Sequence, residues 1–212
     1  MEPFTRLTAI AAPLPQPDID TDMLIPQRYL RQPLTAGYRN FFFYNDRFDA
    51  EGKPRPDFIL NREPYQRAQI LVTGPNFGCG STREGAVYAA VDFGVRAIVA
   101  SSFGPFYASN CYQNGVLPVV LPEAEVREII AALQASPGAE VTVDLQAQTV
   151  TAPGGKTCRF DIEPSRKERL LEGLDDIGIT QRYEAEVADY EKRLDAEMPW
   201  LSGAPLQGLV QP

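Results

Sequence analysis

A glycine-rich segment, GPNFGCGSTRE at residues 74–84, contains the residues best suited to chemistry. It follows a short apolar run, QILVT, and precedes a segment with helical spacing, GAVYAAVDF. A glycine turn between a strand and a helix leaves backbone N–H groups at the positive end of the helix dipole, and such sites bind anions. Arg83 adds a planar fork of donors that suits a carboxylate or a phosphate. The segment therefore predicts a site for a small anion.

Two common phosphate-binding loops do not match this segment. The dinucleotide fingerprint G-x-G-x-x-G needs its third glycine where the chain has Arg83. The P-loop needs a glycine at the position of Cys79 and a lysine before the serine, and the chain has neither. Gly78 and Gly80 instead allow the backbone to approach a ligand without a Cβ in the way.

The end of the segment also allows a structural interpretation. Ser81-Thr82-Arg83-Glu84 matches the capping box S-x-x-E, in which the serine caps a helix and the glutamate reaches back to it. The two interpretations can coexist if Thr82 caps the helix while Ser81 projects from the turn. The residues alone leave both open.

Composition restricts the chemistry that this chain can perform. Its 212 residues include no histidine, which removes the usual general base near neutral pH and every Ser-His or Cys-His pair. Three widely spaced cysteines, Cys79, Cys111 and Cys158, form no C-x-x-C pair, so no local ligand set for zinc or an iron–sulfur cluster is evident. We expect reduced thiols and no metal held by this chain.

Charge and hydropathy exclude other classes of partner. The net charge is -8 and no run of Lys or Arg is present, whereas nucleic acids and anionic membranes require concentrated positive charge. The N-terminal residues lack the pattern of a signal peptide, and no apolar run approaches the roughly 18 residues of a membrane span. We expect a cytoplasmic protein that binds neither nucleic acid nor a membrane.

The elements that must position the glycine segment indicate an α/β fold. The order strand, glycine turn, helix and strand from Gln69 onward is a βαβ unit, which implies parallel strands. A first strand is predicted within residues 4–11, and Pro13 then begins an extended loop. Further predicted elements are a short helix ended by Gly115, the strand VLPVVL, the helix EAEVREIIAALQ, a meander of VTVDL, TVTA and TCRFDI, and helices at about 165–172 and 182–196.

The remaining stretches define the domain organisation. Residues 31–68 lack sustained periodicity, but the apolar cluster FFFY at residues 41–44 predicts packing rather than disorder. No linker or internal repeat is evident. We predict one domain over residues 1–196 and a mobile tail over residues 197–212.

Several motifs together resemble a known family. NFGCGSTRE, VRAIVASSF and NCYQNGVLPV are similar to the swivelling domain of the aconitase superfamily, and within it to the small subunits of bacterial 3-isopropylmalate dehydratase. DIDTDMLIPQRYL, PDFILN and GLDDIGIT also occur in the order that this family uses, so the likeness extends to about residue 195. The resemblance implies a three-layer β/β/α domain with a parallel βαβ core, an antiparallel meander and C-terminal helices.

The same resemblance implies an activity and a partner. Members of the family pair with a separate large subunit that carries a [4Fe-4S] cluster, while the small subunit binds no cofactor itself. The implied reaction is hydro-lyase chemistry on a 2-hydroxy diacid, the dehydration of 2-isopropylmalate and its rehydration at the neighbouring carbon, in leucine biosynthesis. By this resemblance Ser81 would be the catalytic base, and Gly80, Thr82 and Arg83 would hold the substrate.

Two further groups of residues take roles from the resemblance. The loop Tyr29-Leu30-Arg31 is where the family distinguishes substrates. Asp20 and Asp22 could orient the arginine of the glycine segment or stabilise a turn, and both roles remain open.

The chain also departs from the family pattern. Gly85 stands where the family usually has a histidine, and Pro105 stands where an aspartate is usual. These departures raise a second hypothesis, a paralogous small subunit for a methylmalate or citraconate type of substrate. A catalytically silent anion-binding regulatory subunit and an enzyme that needs no partner are the remaining alternatives.

Overall fold

The computed structural model describes residues 1–33, 35, 37–198 and 200–201. By its internal contacts the chain divides into two compact units, Met1–Gly173 and Leu174–Pro212. The single domain over residues 1–196 stays a prediction. Most of the predicted mobile tail, residues 199 and 202–212, lies outside the described residues.

The first unit contains a mixed sheet, as predicted. Its strands in the described part of the chain are β1 Arg6–Leu14, β2 Ile70–Thr73, β3 Ala97–Ala100, β4 Leu117–Val120, β5 Glu140–Asp144, β6 Thr149–Thr151 and β7 Thr157–Arg159. Their order across the sheet is β4-β3-β2-β1-β5-β6-β7. The strands β1 to β4 pair in parallel, whereas β5, β6 and β7 pair antiparallel, beginning from β1. Strand β1 therefore joins the predicted parallel core to the predicted meander.

Helices flank this sheet and follow it in the chain. The first unit contains α1 Thr21–Leu24, α2 Tyr44–Arg47, α3 Gly85–Phe93, α4 Pro105–Gln113, α5 Glu123–Ala135 and α6 Pro164–Glu172. The second unit contains α7 Asp176–Gln181 and α8 Glu184–Glu197. Helix α7 was not predicted, although Asp175 caps it by accepting a hydrogen bond of 2.7 Å from Gly178 N. Among the described residues, no helix has both the length and the apolar character needed to cross a bilayer.

Two apolar clusters lie on opposite faces of the sheet. Along β2, Ile70 and Val72 belong to the cluster that contains the apolar side of α5, and Leu71 belongs to the cluster that contains α3. All four residues of β2 are buried, as expected for a parallel strand covered on both faces. The glycine segment between β2 and α3 is thus anchored to the core at both ends.

The first strand is longer than predicted. The proposed loop beginning at Pro13 is wrong, because β1 continues through Pro13 to Leu14 and pairs with β2 there. Strand β5 pairs only with the part of β1 from Arg6 to Ile10. At Pro13, the edge of β1 that faces β5 is therefore unpaired. A proline is tolerated there because no strand on that side requires a backbone N–H donor.

The irregular stretch packs on the α3 face of the sheet. Phe42 and Phe43 are fully buried in the cluster that contains α3, which confirms the predicted packing of residues 41–44. Tyr29 stacks on Phe41 with ring centroids 4.3 Å apart. Short 3₁₀ turns at Gln27–Tyr29, Tyr38–Asn40, Ile59–Asn61 and Tyr65–Arg67 connect this layer. The residues between the first strand and β2 thus form a packed layer over α3.

Gly78 marks the tightest approach beneath the glycine segment. Its φ is +71°, and a Cβ built there would lie 2.2 Å from Cγ of the buried Tyr107. Gly154, in the turn between β6 and β7, has a similar φ of +87°, but nothing lies within 4 Å of a Cβ built on it. Alanine at either position must adopt a positive φ, but only at position 78 would its Cβ also collide with a neighbour. Comparing the two substitutions therefore distinguishes the free-energy cost of the backbone conformation from the cost of the steric clash.

We predict that Gly78→Ala lowers the free energy of unfolding more than Gly154→Ala does. Gly154→Ala should cost about 1–2 kcal/mol because alanine resists a positive φ. Gly78→Ala should cost about 1–3 kcal/mol more, because its Cβ overpacks against Tyr107. Urea unfolding of the two variants measures the difference. Equal losses would show that Tyr107 does not restrict position 78.

Candidate active site

The glycine segment is held by its neighbours at the carboxyl ends of the parallel strands. Asp20, after β1, forms a parallel β-bridge with Cys79, and Phe103, after β3, forms one with Phe77. Loops at this edge of a parallel sheet commonly bind ligands because they converge from successive strands. Residues 74–84 therefore lie between two other loops rather than projecting freely.

Three hydrogen-bond donors can converge on the Ser81 hydroxyl: the side chains of Thr21 and Arg83, and the Arg83 backbone N–H at 3.5 Å. Ser81 Oγ lies 2.8 Å from Thr21 Oγ1 and accepts a hydrogen bond of 2.9 Å from Arg83 Nε. Ser81 N donates to Thr21 Oγ1 at 3.1 Å, which leaves the Thr21 hydroxyl proton able to point at Ser81 Oγ. Donors aimed at an oxygen favour its negatively charged form. The arrangement would stabilise an alkoxide on Ser81.

Thr21 is a site residue that the sequence analysis missed. Its side chain is buried, and its backbone N donates to Cys79 O at 2.9 Å. The threonine follows Asp20 in DIDTD, a motif that drew attention only to its carboxylates. A threonine hydroxyl is not ionisable at neutral pH, so its sequence position alone does not suggest a role in the site. Its contact with Ser81 is found only once β1 and β2 are paired in the fold.

Asp20 and Asp22, two of the three aspartates of DIDTD, have different partners. Asp22 Oδ1 accepts a hydrogen bond of 3.1 Å from Arg83 Nη2, so Asp22 and Ser81 together hold the guanidinium. Asp20 Oδ1 accepts from Met23 N at 2.7 Å and caps α1. Of the two roles left open by the sequence, the contact of Asp22 is the one expected of a residue that orients the arginine, and the contact of Asp20 is the one expected in a turn.

The capping interpretation of the glycine segment is wrong. Helix α3 begins at Gly85, with Glu84 before it at the N-cap position and without a side-chain cap. Ser81 and Thr82 lie outside the helix, so neither caps it. Glu84 does not reach back, because it accepts hydrogen bonds from Tyr88 Oη at 2.7 Å and from Asn114 Nδ2 at 2.9 Å. The long-range contact with Thr21, at the start of α1, holds Ser81 instead of the local capping pattern.

Helix α4 supports the segment from the other side. Asn110 Nδ2 donates to Thr82 O at 3.2 Å, and Asn114 Nδ2 donates to Glu84. Asn110 lies in α4 and Asn114 is the residue that follows it, and their spacing of four residues places both on one side of the helix. Their spacing in NCYQN was a signal that the sequence analysis did not use. The hydrogen bond to Glu84 and partial burial raise the pKa of Tyr88 to about 12, so Tyr88 stays a donor at neutral pH.

The predicted specificity loop reaches the site through one residue. Leu30 Cδ2 lies 2.7 Å from the position that a Cβ on Gly85 would occupy. Tyr29 packs in the aromatic layer against Phe41, and Arg31 is exposed. The structure therefore brings Leu30 to the start of α3 and directs its two neighbours elsewhere.

Gly80, the remaining residue predicted to bind the substrate, is exposed and adopts a φ of +98°. A Cβ there would lie 3.5 Å from Thr21 Oγ1, an ordinary contact distance. Glycine is therefore needed at position 80 for its backbone conformation more than for space. That conformation carries the chain from Cys79 to Ser81.

Within the described residues, no group of three His, Cys, Asp or Glu side chains is placed to hold a metal ion. Cys79 borders the site, but partial burial and the carboxylates of Asp20 and Asp18 raise the pKa of its thiol. Cys111 and Cys158 are buried in the clusters on opposite faces of the sheet. Burial raises the pKa of both thiols. An iron–sulfur cluster needs several thiolates close together, whereas Cys111 and Cys158 lie on opposite faces of the sheet, so these cysteines do not form a ligand set.

Protein-family models account for most of the chain. Residues 1–124 match the model described as the aconitase C-terminal domain. Residues 127–164 match one described as LeuD_N, and residues 176–204 match the C-terminal domain of the 3-isopropylmalate dehydratase small subunit. The glycine segment and its supporting loops all lie within the first match.

Curated relatives and a solved structure agree with these matches. The 3-isopropylmalate dehydratase small subunit of Parvibaculum lavamentivorans is 46% identical over 201 residues, which is 95% of this chain and 100% of the relative. That of Phenylobacterium zucineum is 47% identical over 204 residues, 96% of this chain and 100% of the relative. A crystal structure of 3-isopropylmalate dehydratase from Methanocaldococcus jannaschii matches with a TM-score of 0.63 and 22% identity over 87% of this chain and 99% of that chain, which supports the fold. This chain belongs to the family of 3-isopropylmalate dehydratase small subunits, within the aconitase superfamily.

Proposed function

We propose that this chain is the small subunit of a hydro-lyase that isomerises 2-isopropylmalate to 3-isopropylmalate in leucine biosynthesis. The convergence of Arg83 and Thr21 on the Ser81 hydroxyl is the observation that carries the proposal. Relatives 46–47% identical over nearly the whole chain bear the name of this activity. The reaction removes a proton beside a carboxylate together with a hydroxyl, and then returns water in the opposite orientation.

Ser81 is proposed as the base in this reaction. A serine hydroxyl is a poor base in water, because its alkoxide is too unstable at neutral pH. The Nε–H of Arg83 at 2.9 Å and the hydroxyl of Thr21 at 2.8 Å supply donors for that alkoxide without any histidine. Ser81 would take the proton from carbon in the dehydration and give it back in the hydration.

Arg83 is proposed to bind a substrate carboxylate as well. Its Nε contacts Ser81 and its Nη2 contacts Asp22, while Nη1 has no hydrogen-bond partner in the described part of the chain. An incoming carboxylate can accept from Nη1 as a charge-assisted hydrogen bond. Negative charge that builds on this carboxylate as the proton leaves would strengthen the contact. Thr82 and Gly80, both exposed beside Ser81, complete the proposed binding surface.

The proposal requires a separate large subunit. The relatives are named small subunits, and no described residues of this chain form a metal site. We therefore assign to the large subunit the [4Fe-4S] cluster that the family implies, which would supply a Lewis acid for the substrate hydroxyl. A small 2-hydroxy diacid is the proposed ligand, and the net charge of -8 argues against nucleic acid. A cytoplasmic location fits this metabolic role.

We predict that Ser81→Ala, in the complex with the large subunit, lowers kcat by about 10²–10⁴-fold with a smaller effect on KM. The substitution removes the proposed base but leaves the Arg83–Asp22 contact in place. Steady-state turnover of 2-isopropylmalate measures the effect. Ser165→Ala, an exposed serine at the start of α6, is the control and should keep full activity. Wild-type turnover by Ser81→Ala would favour the silent anion-binding subunit.

Asp22→Asn tests whether the aspartate orients Arg83. Loss of one charge-assisted hydrogen bond should raise KM on the order of tenfold while kcat changes less. Unfolding should change by less than about 1 kcal/mol, since the Arg83 and Asp22 side chains are 36% and 60% exposed. Kinetics and thermal unfolding of the same sample separate the two effects.

The matched control is Asp57→Asn, which removes an exposed ion pair with Arg62 away from the site. Its kinetics should match those of the wild type. If Asp22→Asn behaves in the same way, the Arg83–Asp22 contact is only a surface ion pair.

A further inference from the structure

We propose that Asn110 is a positioning residue for catalysis, because it holds the peptide between Thr82 and Arg83 so that the Arg83 backbone N–H points at Ser81 Oγ. This inference rests on the proposed function, in which Ser81 is the base. It gives a catalytic consequence to a hydrogen bond between α4 and the glycine segment.

The peptide between Thr82 and Arg83 has a hydrogen-bond partner on each side. Asn110 Nδ2 donates to Thr82 O at 3.2 Å. On the opposite side, Arg83 N donates to Ser81 Oγ at 3.5 Å. The C=O and the N–H of a trans peptide lie in one plane and point in opposite directions. Fixing the carbonyl through Asn110 therefore also fixes the direction of the amide N–H.

Other contacts hold the residues on either side of this peptide but not the peptide itself. Ser81 N donates to Thr21 Oγ1 at 3.1 Å, and Glu84 accepts a hydrogen bond of 2.9 Å from Asn114 Nδ2. Thr82 is exposed, and its carbonyl has no second hydrogen-bond partner in the described part of the chain. Since the backbone turns about φ and ψ while each peptide stays planar, this plane can rotate unless its carbonyl is held.

The direction of the peptide affects the stability of a negative charge on Ser81. The distance of 3.5 Å from Arg83 N is long for a neutral hydroxyl, but hydrogen bonds to an anion are shorter and stronger. Catalytic hydrogen bonds of this kind often tighten only when the charge forms. A rotated peptide would instead turn the Thr82 carbonyl oxygen toward Ser81, where its partial negative charge opposes an alkoxide.

Helix α4 is itself fixed against the glycine segment, so the reach of Asn110 is set by the backbone. Gly104, just before the helix, donates from its N to Phe77 O at 2.9 Å. A Cβ on Gly104 would lie 2.3 Å from Gly78 O, so the two chain segments are in close contact. The buried side chain of Tyr107 anchors the next turn of α4. Asn110 follows one turn later and meets Thr82 O without displacing the helix.

The test is Asn110→Leu in the complex with the large subunit, which removes the donor and keeps a side chain of similar length. The midpoint of the pH profile of kcat should shift upward by about one pH unit, because one fewer donor favours the neutral Ser81 hydroxyl. Below the midpoint, kcat for 2-isopropylmalate should fall by about tenfold. KM should change by less than about twofold, since the contact between Arg83 and Asp22 is unchanged.

Two further variants separate positioning from packing. Asn110→Gln keeps an amide donor and should recover most of the rate and the wild-type midpoint. Gln113→Leu replaces an exposed amide on the same helix and should keep wild-type kinetics. Thermal unfolding confirms that each variant is folded, and Asn110→Ala replaces Asn110→Leu if the leucine variant is not.

The outcomes that contradict the inference are distinct from those that contradict the proposed function. A wild-type pH midpoint in the folded variant that lacks the Asn110 amide would show that this residue does not act on Ser81. A loss that Asn110→Gln fails to recover, or that Gln113→Leu reproduces, would show an effect of packing alone. A wild-type complex that does not turn over 2-isopropylmalate would overturn the proposed function, so the wild-type assay distinguishes the two failures.

Discussion

The 2.8 Å contact between the hydroxyls of Thr21 and Ser81 is the interaction on which the candidate site depends. The two residues are 60 positions apart in sequence, and only the parallel pairing of β1 with β2 brings them together. A hydrogen bond of this kind contributes about 1 kcal/mol net to stability, so it does not determine the fold. The fold instead determines the hydrogen bond, through strands that end at a common edge and a backbone bridge between Asp20 and Cys79.

That order of causes explains which parts of the structure were predictable. Strands β2, β3 and β4 were predicted from apolar runs, and helix α5 was predicted from helical spacing. Both patterns arise because the buried faces of these elements require apolar residues. The first residue of α3 could not be predicted in this way. The local pattern Ser81-Thr82-Arg83-Glu84 favours a cap, but Ser81 and Glu84 instead contact Thr21 and Asn114, which lie in distant parts of the chain. Local propensity is a weak guide wherever a long-range contact competes for the same side chain.

The site shows the same division. Arg83 and a serine after a glycine turn indicate an anion site by chemistry alone, and the structure places Asp22 within hydrogen-bonding distance of that arginine. The proposed role of Ser81 as a base came from the family resemblance, since no elementary rule makes a serine basic without a histidine. Thr21 could not be identified from sequence, because its contribution depends on direction and burial rather than residue type.

The departures from the family pattern are accommodated locally. Pro105 lies at the first residue of α4, where its missing N–H is unpaired in any helix and its fixed φ suits the start. Gly85 removes a side chain, and Leu30 fills the vacated space. Neither change alters the contacts among Ser81, Arg83 and Asp22. A subunit that had lost its catalytic role would not need to keep these donors aligned, so their retention beside two accommodated changes favours an active hydro-lyase subunit over a silent one.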